Sequence, residues 1–292
     1  MSASRVLGHT LGEPLGWPAP AKLNLCLHIV GRRADGYHLL QTAIQFIDLC
    51  DELMFYERPT GVIERVAASH GVPESSDLTI RAARLLAREA GVEAGVAIEL
   101  RKYIPIQAGL GGGSSDAATV LVALNRLWGI DYEIERLAQL GLTLGADVPV
   151  FVRGHAAWVE GVGERIEPAE YLESVYLIIK PSAAVSTAEI FQAAELTRNS
   201  PITTIRAFLG GGGRNDCTST VRGRYPEIAE ALDWLENFGQ AKLTGTGACV
   251  FAVMPDAASA LATKARLPAQ WTGYVVRGMN RSPLLDRLAH ES

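Results

Sequence analysis

The sequence predicts an α+β fold of two domains. Its 292 residues suffice for one large domain or two of ordinary size. Segments with the alternation of strands and segments with the periodicity of helices follow one another along the chain. A stretch with two glycines, GVGER, ends at residue 165 and marks a soft boundary. We therefore expect an N-terminal domain over residues 1–165 and a C-terminal domain over residues 166–292.

Composition is typical of a soluble globular protein, with 48% hydrophobic and 20% charged residues. The net charge of −5 argues against a nucleic-acid partner, and no apolar run approaches the ~20 residues of a membrane helix. The first 17 residues form a loose leader without the apolar core of a signal peptide. The four cysteines include no C-x-x-C pair, which favours reduced, packed thiols in a cytoplasmic protein, with zinc or disulfides as the alternative.

The first strand covers residues 21–29, where apolar and polar side chains alternate strictly. One predicted face carries Lys22, Asn24, Cys26 and His28. Lys22 and Asn24 should therefore point the same way, ~7 Å apart along the strand. A charged, glycine-containing loop, GRRADGYH, follows and leads into a second strand-like run, LLQTAIQFIDL.

A helix over residues 77–90 follows, for which Ser75 and Ser76 offer N-caps and Gly91 a C-terminal stop. Residues 96–100 are predicted to form the next strand.

The stretch GLGGGSSDAA, residues 109–118, joins that strand to another helix. Glycines let the backbone approach a phosphate, and the free N–H groups of a helix start attract it. Ser114 or Ser115 should cap the helix, which Gly129 ends, and their hydroxyls could donate to phosphate or reach Mg²⁺. The motif lacks the lysine of the common phosphate loop, so a positive charge must come from elsewhere. A flexible turn is the alternative.

The stretch GADVPVF places Asp147 where a helix capped by Asp131 and ending near Leu142 gives way to a strand-like segment. A buried carboxylate is costly unless it is paired. Pairing with Lys22 would give a general base held by an ammonium group, whereas a helix cap or turn residue is the simpler alternative.

In the second half, strands are predicted over residues 175–180, 248–254 and 274–277, and helices over residues 187–196 and 225–238. Gly210–Gly213 is interpreted as a surface loop. The turn Thr244–Gly247, TGTG, gains functional interest only if it lies near the first glycine loop.

Four motifs, PAPAKLNLCLHI, PIQAGLGGGSSDAA, GADVPVF and LTGTGACVF, resemble those of the galactokinase–homoserine kinase–mevalonate kinase–phosphomevalonate kinase (GHMP) superfamily. GRRADGYHLLQT, NDC at 215–217 and NRSPL near the end are similar to the members that phosphorylate a cytidine diphosphate-linked methylerythritol in the non-mevalonate route to isoprenoid precursors. The resemblance spans roughly residues 18–285.

The resemblance implies an ATP-binding N-terminal domain that resembles domain 2 of ribosomal protein S5 and a ferredoxin-like C-terminal domain that completes the substrate cleft. It implies ATP as co-substrate, Mg²⁺, transfer of a phosphoryl group to the 2-hydroxyl of the erythritol part, and a monomer or weak homodimer. The metal ligands stay open.

The resemblance also implies the site residues. Lys22 and Asp147 would be catalytic. ATP would contact Lys102, Pro105, Ile106, Gln107, Ala108, Gly109, Leu110, Gly111, Gly112, Gly113, Ser114 and Ser115. The substrate would contact Asn24, Tyr37, His38, Thr187 and Phe191, with the Tyr37 and Phe191 rings on either side of the cytosine. Gln107 and Ala108 depart from the family, which often has glycine at both positions.

Three other functions are less compatible with these residues. A superfamily kinase acting on a smaller alcohol, such as homoserine or mevalonate, would not need the aromatic GYH loop. A nucleotide-binding protein without catalysis would need neither Lys22 nor Asp147. A nucleic-acid-binding module is disfavoured by the acidic charge.

Overall fold

A computed structural model describes residues 16–66, 73–211 and 213–291. Residues 1–15, most of the predicted leader, and Gly212 of the second glycine cluster lie outside them. The strands are β1 (Trp17–Arg32), β2 (His38–Arg58), β3 (Ile63–Arg65), β4 (Gly95–Arg101), β5 (Ala157–Gly161), β6 (Arg165–Pro168), β7 (Val175–Lys180), β8 (Lys242–Leu243), β9 (Val250–Met254) and β10 (Thr272–Met279). The α-helices are α1 (Leu78–Ala90), α2 (Gly112–Leu127), α3 (Ile134–Leu142), α4 (Val148–Arg153), α5 (Thr187–Gln192), α6 (Ile205–Leu209), α7 (Thr218–Arg224), α8 (Pro226–Glu236), α9 (Ala257–Lys264) and α10 (Pro283–His290).

One mixed sheet runs through both halves of the chain in the order β3-β4-β2-β10-β7-β9-β8, with β1 and β5 also paired to β2 and β6 paired to β5. The last strand, β10, joins the halves. Gly278 and Met279 at its end pair with β2, and its earlier residues pair with β7. Helices packed against a mixed sheet confirm the predicted α+β class.

The predicted alternation of the first strand is correct up to Asn24 and wrong after it. A β-bulge at Leu25 shifts the register of β1 against β2. A bulge inserts one extra residue and thereby exchanges the two faces of the strand beyond it. Cys26 consequently packs in an apolar cluster, whereas Leu27 lines the same cleft as Lys22 and Asn24.

Helix α1 begins one residue later than predicted and has a different cap. Asp77 is the N-cap, and its carboxylate accepts the Thr79 N–H at 2.9 Å. Ser75 and Ser76 instead belong to a short 3₁₀ turn before the helix. Gly91 ends the helix in the left-handed conformation, as predicted.

The next two helix starts were also misassigned. Helix α2 begins at Gly112 with Gly111 as N-cap, so Ser114 and Ser115 lie in its first turn and do not cap it. Glu133 is the N-cap residue of helix α3, without a side-chain hydrogen bond to the helix. Asp131, the predicted cap, adopts φ +58° in the preceding turn, a left-handed conformation that aspartate tolerates better than most residues.

The apolar run after Asp147 was predicted to be strand-like and is helix α4 instead. Pro149 lies in the first helical turn, where its missing N–H costs no hydrogen bond. Periodicity cannot separate a short buried helix from a short buried strand, which explains the error. Asp147 therefore lies at a helix start.

The second half of the chain agrees better with its predicted elements. The strands near 175–180, 248–254 and 274–277 and the helix near 225–238 are present as β7, β9, β10 and α8. Helix α5 ends at Gln192, four residues before the predicted end. Elements β3, β5, β6, β8, α6, α7, α9 and α10 were not predicted.

Three clusters of buried apolar side chains form the core. The first joins α1–α4 to β1, β2, β4 and β5, and Leu284 of α10 also belongs to it. The second lies under α5, α7, α8 and α9.

The domain boundary near residue 165 stays a prediction. Strand β6 begins at Arg165 and pairs with β5, so strand pairing continues across this position. Within the described ranges, no helix is both long and apolar enough to cross a bilayer.

Candidate active site

A cleft of about 700 Å³ opens where β1, the start of α2, the start of α4 and the TGTG turn meet. This volume is within the usual range for a small-molecule site. The predicted site residues that line it are Lys22, Asn24, Lys102, Pro105, Ile106, Gln107, Ala108, Gly109, Leu110, Gly111, Gly112, Gly113, Ser114, Asp147, Thr187 and Phe191. Ser115, Tyr37 and His38 are the predicted site residues that do not line it.

Left-handed backbone conformations shape the glycine loop. Gly109 and Gly111 have φ of +76° and +73°, and a Cβ on Gly111 would lie 3.1 Å from the Lys22 Cε and closer still to Phe151. Gln107 also has a positive φ, +54°, which a side chain makes unfavourable and glycine would accept freely. The departure from glycine at this position therefore leaves the left-handed loop path in place.

Hydrogen bonds hold three sequence motifs together at Gly109. Its carbonyl accepts the Lys22 Nζ at 3.0 Å and the Thr244 hydroxyl at 3.2 Å. The same hydroxyl accepts the backbone N–H of Asn24 at 3.1 Å. The Cys249 N–H also donates to the carbonyl of Ala108. The TGTG turn thus packs directly on the glycine loop, which is the condition under which it gains functional interest.

Lys22 and Asp147 face each other across the cleft. The Lys22 Nζ lies 3.8 Å from Asp147 Oδ2, and it also contacts the Asn24 side-chain oxygen. The Lys22 side chain is 4% exposed and that of Asp147 is 44% exposed, so the carboxylate can reach a ligand. Burial lowers the pKa of Lys22, and the charge of Asp147 opposes that shift. The pair brings an ammonium group to the glycine loop without a lysine in the loop itself.

Polar side chains extend the cleft beyond this pair. The Asn24 amide donates to the Thr42 hydroxyl at 2.8 Å, and both side chains line the cleft. In the same cleft the hydroxyls of Thr187 and Thr246 lie 2.9 Å apart. This part of the cleft suits a hydroxylated, polar ligand.

Lys102 is held in a buried cluster with Asp51 and Asp116. Its Nζ donates to Asp116 Oδ2 at 2.7 Å and to Asp51, which also accepts the backbone N–H groups of Tyr103 and Ile104. Only 10% of the Lys102 side chain is exposed. Two carboxylates thus share one ammonium group beneath the glycine loop.

The excess of carboxylates affects ionisation. Burial of Asp116 raises the pKa of its carboxyl to about 8. The positive charge of Lys102 opposes this rise, and the negative charge of Asp51 adds to it. The Asp116 Oδ1 is buried without a hydrogen-bond partner. A neutral Asp116 leaves the cluster without net charge.

Asp116→Asn is expected to make stability less dependent on pH. A carboxyl whose pKa is raised on folding contributes stability below its ordinary pKa and loses it as the pH rises towards the folded value. The melting temperature of the unsubstituted protein should therefore fall relative to Asp116→Asn between about pH 4 and pH 8. Asp233→Asn, at a side chain that is 66% exposed, is the control. A pH-independent difference between protein and variant would contradict the assignment.

The aromatic residues predicted to hold a nucleobase lie at the edge of the cleft. Tyr37 is 67% exposed in the turn between β1 and β2. His38 stacks on Phe191 with ring centroids 5.1 Å apart and an interplanar angle of 25°. Because Phe191 and Thr187 line the cleft, His38 reaches it through this stack.

Several residues at the site were not found from the sequence. Thr42 is a hydroxyl residue within a strand, a common setting that gave no signal, and Thr244 and Thr246 were noted only as part of the TGTG turn. Asp51 ends an apolar run like many surface carboxylates. Arg198, whose Nε donates to His38 Nε2 at 3.1 Å, lies 160 residues from its partner. Only the fold brings these side chains to the cleft or to the residues that surround it.

Comparisons with known proteins agree with this geometry. The family model "GHMP kinases N terminal domain" matches residues 77–155, and "GHMP kinases C terminal" matches residues 193–273. A protein of Nitrosococcus oceani named 4-diphosphocytidyl-2-C-methyl-D-erythritol kinase is 55% identical over 272 residues, 93% of this chain and 97% of the relative. One of the same name from Alkalilimnicola ehrlichii is 54% identical over 94% of each chain.

Solved structures give the same result for the fold. A crystal structure of 4-(cytidine 5'-diphospho)-2C-methyl-D-erythritol kinase matches with a TM-score of 0.81 and 32% identity, over 90% of this chain and 99% of that one. The mevalonate kinase of Methanococcus jannaschii matches with a TM-score of 0.68 over 93% of this chain and all of that one. At 16% identity this second match supports the fold alone.

Proposed function

The chain belongs to the GHMP kinases and, within them, to the family of 4-diphosphocytidyl-2-C-methyl-D-erythritol kinases, and from this we propose how its residues carry the reaction. The reaction is ATP-dependent phosphorylation of that cytidylyl alcohol at its 2-hydroxyl, a step of the non-mevalonate route to isoprenoid precursors. The observation that carries the proposal is the Lys22–Asp147 pair beside the glycine loop.

In the proposed reaction Asp147 accepts the proton of the 2-hydroxyl. The hydroxyl oxygen forms a bond to the γ-phosphorus of ATP, and the bond from that phosphorus to the β–γ bridging oxygen breaks, releasing ADP. Lys22 holds the carboxylate and offsets negative charge on the transferring group. Phosphoryl transfer depends mostly on positioning and electrostatics, so two side chains and a loop can suffice.

The glycine loop and the N-terminus of α2 are proposed to hold the phosphates of ATP. Helix α2 has 16 residues, and Gly111, Gly112 and Gly113 at its start line the cleft. Its unpaired N–H groups provide donors for an anion. Lys102 lies beside the loop, but its charge is already shared with two carboxylates, so its proposed contribution is mainly to the shape of the loop.

Mg²⁺ is part of the proposal. No group of three or more His, Cys, Asp or Glu side chains suited to a metal occurs in the described part of the chain. Mg²⁺ bound with ATP usually takes one or two protein oxygens and completes its shell with phosphates and water, so the hydroxyl of Ser114 in the cleft fits it. When bound, the ion would neutralise phosphate charge and orient the γ-phosphate.

The substrate is proposed to occupy the polar side of the cleft. Asn24 and Thr187 would contact the polyol or the diphosphate, and Tyr37, His38 and Phe191 would contact the cytosine. The exposure of Tyr37 supports this role, because an exposed ring is available to stack on a base.

Tyr37→Ala is expected to raise the substrate KM by roughly ten- to a hundredfold, since base–aromatic stacking contributes ~1–3 kcal/mol. The KM for ATP and the melting temperature should barely change, because the ring is 67% exposed. Steady-state kinetics with both substrates varied provide the measurement. A normal substrate KM in a folded variant would rule out the stacking role.

The cellular location and the assembly state of the protein are also part of the proposal. A cytoplasmic location is supported by four free cysteines, of which Cys26, Cys217 and Cys249 are buried. A monomer or weak homodimer without a nucleic-acid partner remains the prediction from the sequence.

The direct test is to follow ADP release with ATP and a panel of alcohols that includes the cytidylyl-erythritol, homoserine and mevalonate. We expect release with the cytidylyl alcohol and a singly phosphorylated product by mass spectrometry. Faster phosphorylation of either smaller alcohol would favour the alternative kinase.

A further inference from the structure

One guanidinium group joins two walls of the proposed nucleobase site. Arg198 Nε donates to His38 Nε2 at 3.1 Å, at the start of β2. Its other four N–H groups are directed at carbonyl oxygens in and after α5, those of Phe191, Ala193, Ala194 and Leu196. With every N–H directed at an acceptor, the Arg198 side chain holds both members of the His38–Phe191 stack.

This arrangement determines where the imidazole proton of His38 lies. A guanidinium group has only donors, so the nitrogen that faces it must present a lone pair. His38 Nε2 is therefore the acceptor, and the proton of the neutral ring is on Nδ1. Within the described ranges Nδ1 has no hydrogen-bond partner, and it is not buried. It is free to donate to a ligand.

The charges around His38 keep the ring neutral. Burial and the positive charges of Arg198 and Arg32 lower the pKa of His38. Arg198 approaches from the segment after α5 and Arg32 from the end of β1, while the other ring face is against the uncharged Phe191. A neutral ring with a fixed Nδ1–H offers one donor of defined direction.

We propose that Arg198 is a positioning residue that sets the nucleobase preference of this kinase, because it fixes His38 as a donor towards an acceptor atom of cytosine. The inference rests on the proposed function. The pairing edge of cytosine carries the acceptors N3 and O2, whereas uracil carries a hydrogen at N3. A donor fixed opposite N3 would therefore accept cytosine and be left facing another donor with uracil. An unpaired polar group of this kind weakens binding strongly.

The first test reads the tautomer without any substrate. The imidazole nitrogens of ¹⁵N-histidine-labelled protein are observed by NMR, and His38 is assigned by the signals lost in His38→Gln. We expect the Nδ1–H tautomer in the unsubstituted protein. In Arg198→Met we expect the Nε2–H form to appear and the pKa of His38 to rise. An Nε2–H tautomer in the unsubstituted protein, or the same tautomer and pKa in both, would overturn the inference.

The second test measures kinetics with the cytidine substrate and its uridine analogue. Arg198→Met should raise the KM for the cytidine substrate about tenfold, the equivalent of one hydrogen bond, and lower the cytidine-to-uridine preference by a similar factor. The kcat and the KM for ATP should stay within about twofold. Arg224→Met, which removes a half-exposed guanidinium paired with Glu195, is the matched control.

If Arg198→Met does not fold, Arg198→Lys replaces it in both tests. The lysine keeps the positive charge but cannot donate to several acceptors in one plane. Unchanged KM and nucleobase preference in the folded variant would defeat the specificity role even if the tautomer were as expected. If the unsubstituted protein phosphorylates neither nucleoside form, the proposed function and the nucleobase role fail together, while the NMR result still decides whether Arg198 sets the tautomer.

Discussion

Asp147→Asn is expected to lower kcat by about 10²–10⁴-fold, the contribution of a well-placed acid–base group, with the fold preserved. The amide has the size of the carboxylate but cannot accept the proton of the substrate hydroxyl. Because the Asp147 side chain is 44% exposed, the substitution buries no new polar group. It also removes the negative charge 3.8 Å from the Lys22 ammonium. That charge opposes the lowering of the Lys22 pKa by burial, so the pKa of Lys22 should be lower in the variant.

The measurement is kcat together with the Kd of a non-hydrolysable ATP analogue. The Kd should change little, since the proposed phosphate contacts come from the glycine loop. Asp286→Asn, at an aspartate that is 60% exposed on α10, controls for loss of a surface charge. Lys22→Met should lower kcat much less in the Asp147→Asn background than in the unsubstituted protein, because the effects of groups that act as a unit are not additive. More than a tenth of the normal kcat in Asp147→Asn would remove it from the role of base.

The parts of this site that lie in short motifs could be predicted from the sequence. Lys22 and Asn24 share a face because the strand is regular from Ala21 to Asn24. The glycine loop precedes α2 as expected, since glycine runs favour left-handed turns at helix starts. What the residues alone could not decide was whether Asp147 faces Lys22 and whether the TGTG turn meets the loop. Both are long-range contacts. The family resemblance supplied the first before the fold did, and the fold alone gave the second.

Other features depend on contacts that no local pattern encodes. The bulge at Leu25 leaves the hydrophobic alternation intact in the sequence, yet it exchanges the faces of Cys26 and Leu27. The run after Asp147 reads equally well as strand or helix until its packing against α2 and α3 is known. Arg198 looks like any surface arginine until the fold brings its guanidinium to His38. In each case tertiary pairing decides between local alternatives of similar energy.

Gly109→Ala is expected to lower kcat/KM by about 10²-fold or more, the loss that a displacement of ~1 Å can cause in a catalytic site. A Cβ at this position would lie 2.3 Å from the carbonyl oxygen of Thr244 and 3.0 Å from that of Gly247, both backbone atoms. Either the glycine loop or the TGTG turn must move. The movement would displace the Gly109 carbonyl, which holds the Lys22 ammonium at 3.0 Å.

Gly129→Ala separates this contact from the backbone strain that an alanine suffers at positive φ. Gly129 has φ +63°, close to the +76° of Gly109, but a Cβ there would meet nothing within 4 Å. Both variants should lose about 1–2 kcal/mol of stability from the left-handed conformation. Only Gly109→Ala should lose activity, and its melting temperature should fall further. Equal stability and equal kcat/KM in the two variants would mean that the glycine loop and the TGTG turn are not held in contact, and Lys22 would then need another anchor beside Asp147.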